Sequence, residues 1–109
     1  MIYKVQAQFT ENKISEFYEM LKNGTIRNQR PDGMEIVASM KRAKIIAPGQ
    51  LQWSEQCFCS PPLKHERSTV YDHYLSNIRA EAIKEYEDYE GESFWDYMAA
   101  ASQDFAATM

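Results

Sequence analysis

Little in this sequence is abundant, and each scarcity removes a class of protein. There are two cysteines, four glycines and four prolines in 109 residues. Cys57 and Cys59 stand two apart, so on an extended segment they share a face, and an unstrained disulfide between them is not expected. A disulfide-framed secreted scaffold is excluded, and reduced thiols in a cytoplasmic protein are the consistent expectation. No apolar run approaches the roughly 20 residues of a membrane span. The N-terminus lacks the basic and apolar regions of a signal peptide, so no membrane partner is expected. Positive charge is thin as well: 12 Lys and Arg stand against 16 Asp and Glu, for a net charge of −4. Without a dense basic run there is no footprint for nucleic acid, and no nucleic-acid partner is expected. Also missing are a Gly-rich phosphate loop, a G-x-S-x-G elbow, a helical H-E-x-x-H and a Cys-x-x-Cys pair.

What is present describes one small domain. Hydrophobic residues make up 44% and charged residues 26%, which suits a single core over residues 1–109. Ile2 to Phe9 alternates, with Tyr3, Val5, Ala7 and Phe9 on one face, and predicts a half-buried strand. Thr10 or Asn12 can cap the helix that follows, whose stripe is Ile14, Phe17, Tyr18 and Leu21 and whose end is marked by Gly24. Pro31-Asp32-Gly33 is a turn signature. Met34 to Ile46 fits both periods. Pro48-Gly49 lies at the centre of a β-turn before a confident strand, so residues 34–46 are assigned as its hairpin partner. The expected register pairs Ile46 with Leu51, Lys44 with Trp53, Arg42 with Glu55 and Met40 with Cys57.

Leu51 to Cys59 alternates, placing Leu51, Trp53, Glu55, Cys57 and Cys59 on one face. Ser60-Pro61-Pro62 stops that strand and starts a helix by capping. Leu63, Arg67, Val70, Tyr71, Tyr74, Leu75 and Ile78 form its stripe. A short strand is assigned within Arg79 to Tyr89. Gly91 breaks the chain, and Ser93 with Asp96 caps a C-terminal helix carrying Phe94, Tyr97, Met98, Ala101 and Phe105 on one face. Residues 93–109 are thus a C-terminal helix and tail.

This order of elements resembles the ferredoxin-like fold: an α+β chain, β-α-β-β-α-β, with an antiparallel sheet, helices on one face and an added C-terminal helix. Proteins of that layout commonly pair their sheets into a dimeric α+β barrel, a group that includes cofactor-independent monooxygenases and small-ligand binders. The resemblance implies a homodimer. The run from Trp53 to Arg67, WSEQCFCSPPLKHER, is similar to a stretch found in a group of small bacterial proteins. No catalytic motif of the monooxygenases is matched, so no functional residue is carried over.

Three constellations remain. Cys57, Cys59, His65 and His73 are metal-ligand types, but their spacing matches no familiar zinc pattern. His65 and His73 are separated by about 80° around a helix and more than two turns. Cys57, Cys59 and His65 with water remain open, yet the expectation is two reduced cysteines packed as small hydrophobes, with no metal and no cofactor. Cys59 precedes a helix start with Lys64, His65 and Arg67 close behind, which favours a thiolate; Pro61 and Pro62 remove two of the N–H donors that would stabilise it. The most suggestive set is polar. Arg67 falls on an apolar stripe, where a charge is costly unless paired, and Arg42 and Glu55 share the face of Trp53 and Cys57. Together they outline a pocket for a small anionic ligand held by an arginine fork against an indole wall. The plainer reading, preferred on the pattern alone, is an Arg–Glu pair at the sheet edge with Arg67 extended to water.

The candidate ligand-binding residues are therefore Trp53, Glu55, Arg42, Arg67, His65 and Cys57. The expected function is a small cytoplasmic, homodimeric module that binds a small molecule or a partner. The alternative is a cofactor-independent enzyme acting on a small anionic substrate between sheet and helix, with His65 or His73 as acid–base group. An adaptor acting through its aromatic C-terminal helix is a third class.

Overall fold

The computed structural model describes the backbone of residues 1–107 and the side chains of residues 1–102. Phe105, expected on the last helical stripe, lies outside the described side chains. The chain is α+β. Strand β1 (Ile2–Phe9) leads to α1 (Glu11–Lys22), then α2 (Gly33–Arg42), β2 (Lys44–Ala47) and β3 (Gln50–Gln56). A helical segment in three registers follows: α3 (Lys64–Glu66), a π-helical turn (Arg67–Tyr71) and α4 (Asp72–Tyr74). Strand β4 (Leu75–Ile83), a two-residue β5 (Glu92–Ser93) and α5 (Phe94–Ala107) complete it. The five strands form one antiparallel sheet in the order β4-β1-β3-β2-β5. Among the described residues no helix is long and apolar enough to cross a membrane.

The alternation of β1 does what its period requires. Tyr3, Val5 and Ala7 are buried while Lys4 and Gln6 stay half-exposed. Opposite them on β3 stand Glu55, Trp53 and Leu51, also buried. Onto this face pack Ile14, Phe17 and Leu21 of α1, Ile36 and Met40 of α2, Val70 and Tyr71 of the π turn, and Phe94 and Met98 of α5. Phe17 stacks on Tyr74 with ring centroids 4.6 Å apart, which ties α1 to the end of the helical segment. The opposite face of the sheet presents Lys4, Gln6, Gln52 and Arg79.

The element order departs from the expected β-α-β-β-α-β, since α2 precedes β2 and β5 extends the sheet. Residues 34–46 are not one hairpin strand. Gly33–Arg42 is helical because Ile36, Val37 and Met40 fall together on a buried face. Its first residue must be glycine: a Cβ there would collide with the carbonyl oxygens of Ile26 and Arg27. The Pro48-Gly49 turn stands as expected, with Gly49 at φ +72°. The register does not. A shift between Ile45 and Ala47 pairs Ile45 with Leu51 and Lys44 with Gln52, and Arg42 and Met40 are on α2.

Three further expectations are corrected. The second helix begins at Lys64, not at the Pro61-Pro62 step, and Leu63 before it is left-handed at φ 63°. It ends at Tyr74, because residues 75–83 are drawn out to pair with the free edge of β1. The strand sought within 79–89 is the second half of this β4, and the following segment is irregular. Since β4 and β5 lie at opposite edges of the sheet, residues 84–91 must cross between them. Ser54 fastens that crossing: its hydroxyl donates to the Glu87 carbonyl at 2.8 Å and accepts from the Glu87 amide at 3.1 Å.

Candidate functional site

The site lies where β3 runs out. The Cys57 amide donates to the Met1 carbonyl at 2.9 Å, so pairing with the β1 end continues one residue past Gln56. Beyond Cys57 the chain leaves the sheet, and the left-handed Leu63 turns it into α3. This reversal brings Glu66 back beneath Cys57 and Cys59, while the turn before α2 delivers Asp32 from the other side. A cleft of about 320 Å³ opens between them, lined by Pro31, Asp32, Glu35, Gln56, Cys57, Phe58, Cys59 and Glu66. Phe58 stands on its wall with 84% of its surface exposed.

The floor of the cleft is polar and largely buried. Glu66 is 1% exposed. Its Oε1 accepts a thiol hydrogen bond from Cys59 Sγ at 3.3 Å, and burial and the neighbouring Asp32 push its carboxyl above the usual range. Cys57 Sγ accepts the Cys59 amide at 3.2 Å, with the Leu63 amide also directed at it. Burial, then the Glu66 carboxylate, outweighs these donors and pushes the Cys57 thiol up to about 12. His65 Nδ1–H donates to Asp32 Oδ2 at 2.8 Å, and Asp32 Oδ1 is buried without a partner. Glu35 is held from one side: its Oε2 accepts from Arg42, Tyr86 and the Gln56 amide.

Behind the cleft sits a second buried carboxylate. Glu55 Oε1 accepts from Trp53 Nε1 at 2.8 Å and from Tyr71 Oη at 2.6 Å, while Oε2 has no partner. All three side chains are fully buried. Burial lifts the Glu55 carboxyl to about 8 despite those two donors, and the Tyr71 hydroxyl is raised by burial and by Glu55. Glu55 is thus a neutral acid near neutral pH, closing the core around an indole and a phenol.

The structure brings together only part of the expected set. Trp53, Glu55 and Cys57 line up along one face of β3 and its continuation, as the alternation requires. His65 lies beside the cleft through Asp32. Arg42 is on α2, where it donates to Glu35 Oε2 at 3.1 Å and to the Ser54 carbonyl at 2.8 Å and lies over the Tyr86 ring. Arg67 points to the surface and pairs with Asp72 at 3.1 Å. Among the described residues no arginine fork forms beside Trp53.

Glu66, Asp32 and Glu35 are the residues that sequence reasoning passed over. Glu66 had a signal: it stands three residues after Leu63 and four before Val70, on the buried side of the helical stripe. Asp32 reads only as a turn residue. Comparison with protein-family models, curated proteins and solved structures finds no match for this chain.

Proposed function

We propose that this protein is a small binding module whose site is the Asp32–Cys57–Glu66 cleft, and that its guest presents positive charge. The observation that carries the reading is the lining itself. Three carboxyl groups, Asp32, Glu35 and Glu66, meet the apolar surfaces of Pro31 and Phe58, and the guanidinium in contact with them, Arg42 on Glu35, stands outside the lining. A negative, partly desolvated hollow selects cations and rejects anions. Two unbridged cysteines suit a reducing, cytoplasmic setting.

Benzylamine, with a cationic head and a flat apolar body, is a direct probe, and benzoate is its anionic counterpart. Amide NMR spectra are expected to shift at Asp32, Glu35, Cys57, Phe58 and Cys59 with benzylamine and to stay unchanged with benzoate. Shifts with benzoate alone would restore the anionic-ligand reading. Shifts with neither would remove small organic guests. The reading as a cofactor-independent enzyme draws on the His65–Asp32 pair; we prefer binding because His65 is not among the residues lining the cleft.

The proposal includes a homodimer and a ferredoxin-like layout. What supports the layout is the antiparallel run β4-β1-β3-β2, with α2 and β5 as additions. What supports the dimer is the open sheet face, where Lys4, Gln6, Gln52, Arg79 and Glu81 offer donors, acceptors and both signs of charge to a second copy. Native mass spectrometry of the full chain tests it, a monomer at micromolar concentration counting against it.

A further inference from the structure

We propose that the floor of this cleft is a site for a thiolate-preferring divalent metal ion, zinc above all, held by Cys57, Cys59 and Glu66 and supported by Asp32 and His65. The proposal rests on the cleft being the binding site, and it names the guest.

Three features of the floor converge on this chemistry. The two sulfurs and a Glu66 carboxylate oxygen lie within 4.8 Å of one another. A tetrahedral zinc ion with bonds of about 2.0–2.3 Å holds its ligand atoms roughly 3.3–3.8 Å apart, so closing by about 1 Å brings these three to bonding positions. Half-buried Cys59 can supply that movement by rotating about its own side-chain bonds. Next, the Cys59 backbone N–H is already directed at Cys57 Sγ at 3.2 Å. That contact leaves the sulfur oriented for a metal. Finally, buried Glu66 accepts from the weak thiol donor of Cys59 at 3.3 Å and has the Asp32 carboxyl group beside it. Two acidic groups this close and shielded from water repel when both ionise, and a cation bound among them and the thiols relieves that repulsion.

The local chain geometry fits the same purpose. On an extended strand Cys57 and Cys59 would share a face but stand parallel; they converge on one point because the chain has left the strand after Gln56. Leu63, held left-handed, turns α3 so that Glu66 faces them. Three protein ligands leave a fourth position toward the cleft, the arrangement of an open zinc site. Asp32 Oδ1, without a partner, is placed to accept from a metal-bound water, and His65 fixes the other Asp32 oxygen. Thiolate donors disfavour magnesium and calcium. On binding, each ligating thiol gives its proton to solvent. A protonated cluster could hold the same side chains neutral with no ion, and that is the competing outcome.

The test is a titration of the full chain, reduced and stripped of metal by chelator, with cobalt(II) and then zinc(II). One equivalent of cobalt is expected, with a thiolate-to-metal charge-transfer band and strong visible bands of a tetrahedral site, all displaced by zinc. Zinc is also expected to protect both cysteines from alkylation in the unmodified chain. Cys59→Ser should abolish the charge-transfer band from that sulfur, and Asp32→Asn should weaken zinc binding by about 10- to 100-fold. Asp72→Asn, outside the cleft, should change nothing. Cobalt binding without a thiolate band, cysteines that zinc does not protect, or no saturable binding would each overturn the proposal. If benzylamine shifts the cleft amides of the metal-free protein while zinc does not bind, the metal inference fails and the cation-binding cleft stands.

Discussion

Replacing Glu55 by glutamine isolates the titration of one fully buried carboxyl group in the core. An ordinary glutamate loses its proton at 4.5, whereas folded Glu55 holds its own to about 8. Between these values the native state binds one more proton than the unfolded chain, so raising the pH favours unfolding. Stability from this group is complete below about pH 4.5, is withdrawn at about 1.4 kcal/mol per pH unit, and levels off above about pH 8. The loss reaches about 3 kcal/mol at pH 7 and about 5 kcal/mol at pH 9. A glutamine carbonyl can accept the same bonds from Trp53 and Tyr71. Its amide takes the place of Oε2, which has no partner in either residue. A constant offset of about 1 kcal/mol from the extra unpaired N–H is therefore allowed; the slope carries the argument. Urea unfolding followed by circular dichroism should show the Gln variant gaining on the parent steadily from pH 5 to 8 and no further. Glu66, which also titrates upward, is common to both proteins and cancels in the difference. A gap that stays flat across that window would refute a neutral, buried Glu55.

Two packing predictions follow from neighbouring contacts. Tyr71→Phe removes the 2.6 Å bond to Glu55 while keeping the ring, and should cost about 1–3 kcal/mol in urea unfolding; an unchanged midpoint would mean the bond contributes nothing net. Gly33→Ala drives a methyl group into the Ile26 and Arg27 carbonyls and should lower the thermal midpoint, with α2 and the Asp32 side of the cleft displaced in amide NMR spectra; a neutral substitution would show that the α1–α2 connection yields freely.

The parts of the fold legible in the sequence are those where one period acts alone. The β1 alternation, the α1 stripe, the Pro48-Gly49 turn and the shared face of Leu51, Trp53 and Glu55 all stand in the structure. Residues 34–46 misled because Ile36, Val37 and Met40 suit a helix while the following turn asks for a strand; the chain does both in succession. The helix after Leu63 could not show its own end, since Leu75 and Ile78 fit the stripe equally well. The free edge of β1, some 70 residues earlier in the chain, takes residues 75–83 instead. The site suffered similarly. Arg67 on the stripe leaves two readings open, a buried arginine cluster and, preferred to it, a side chain extended to water. Arg67 does reach the surface, where it pairs with Asp72, and Glu66 one position earlier is the charge that goes inside.

By itself, the sequence determined the local periods, the turn, the acidic balance and the placing of Trp53, Glu55 and Cys57 on one face. These depend on spacing and on the net charge of −4, which a single chain displays directly. Only the tertiary structure decided which carboxyl groups are buried and what they meet. Asp32 and His65 are 33 residues apart, and Cys59 and Glu66 are joined only after the chain turns at Leu63. Whether a glutamate is solvated, protonated or a ligand depends on the donors and charges within a few ångströms of it. Those neighbours are assembled by packing from distant positions, so no local pattern records them.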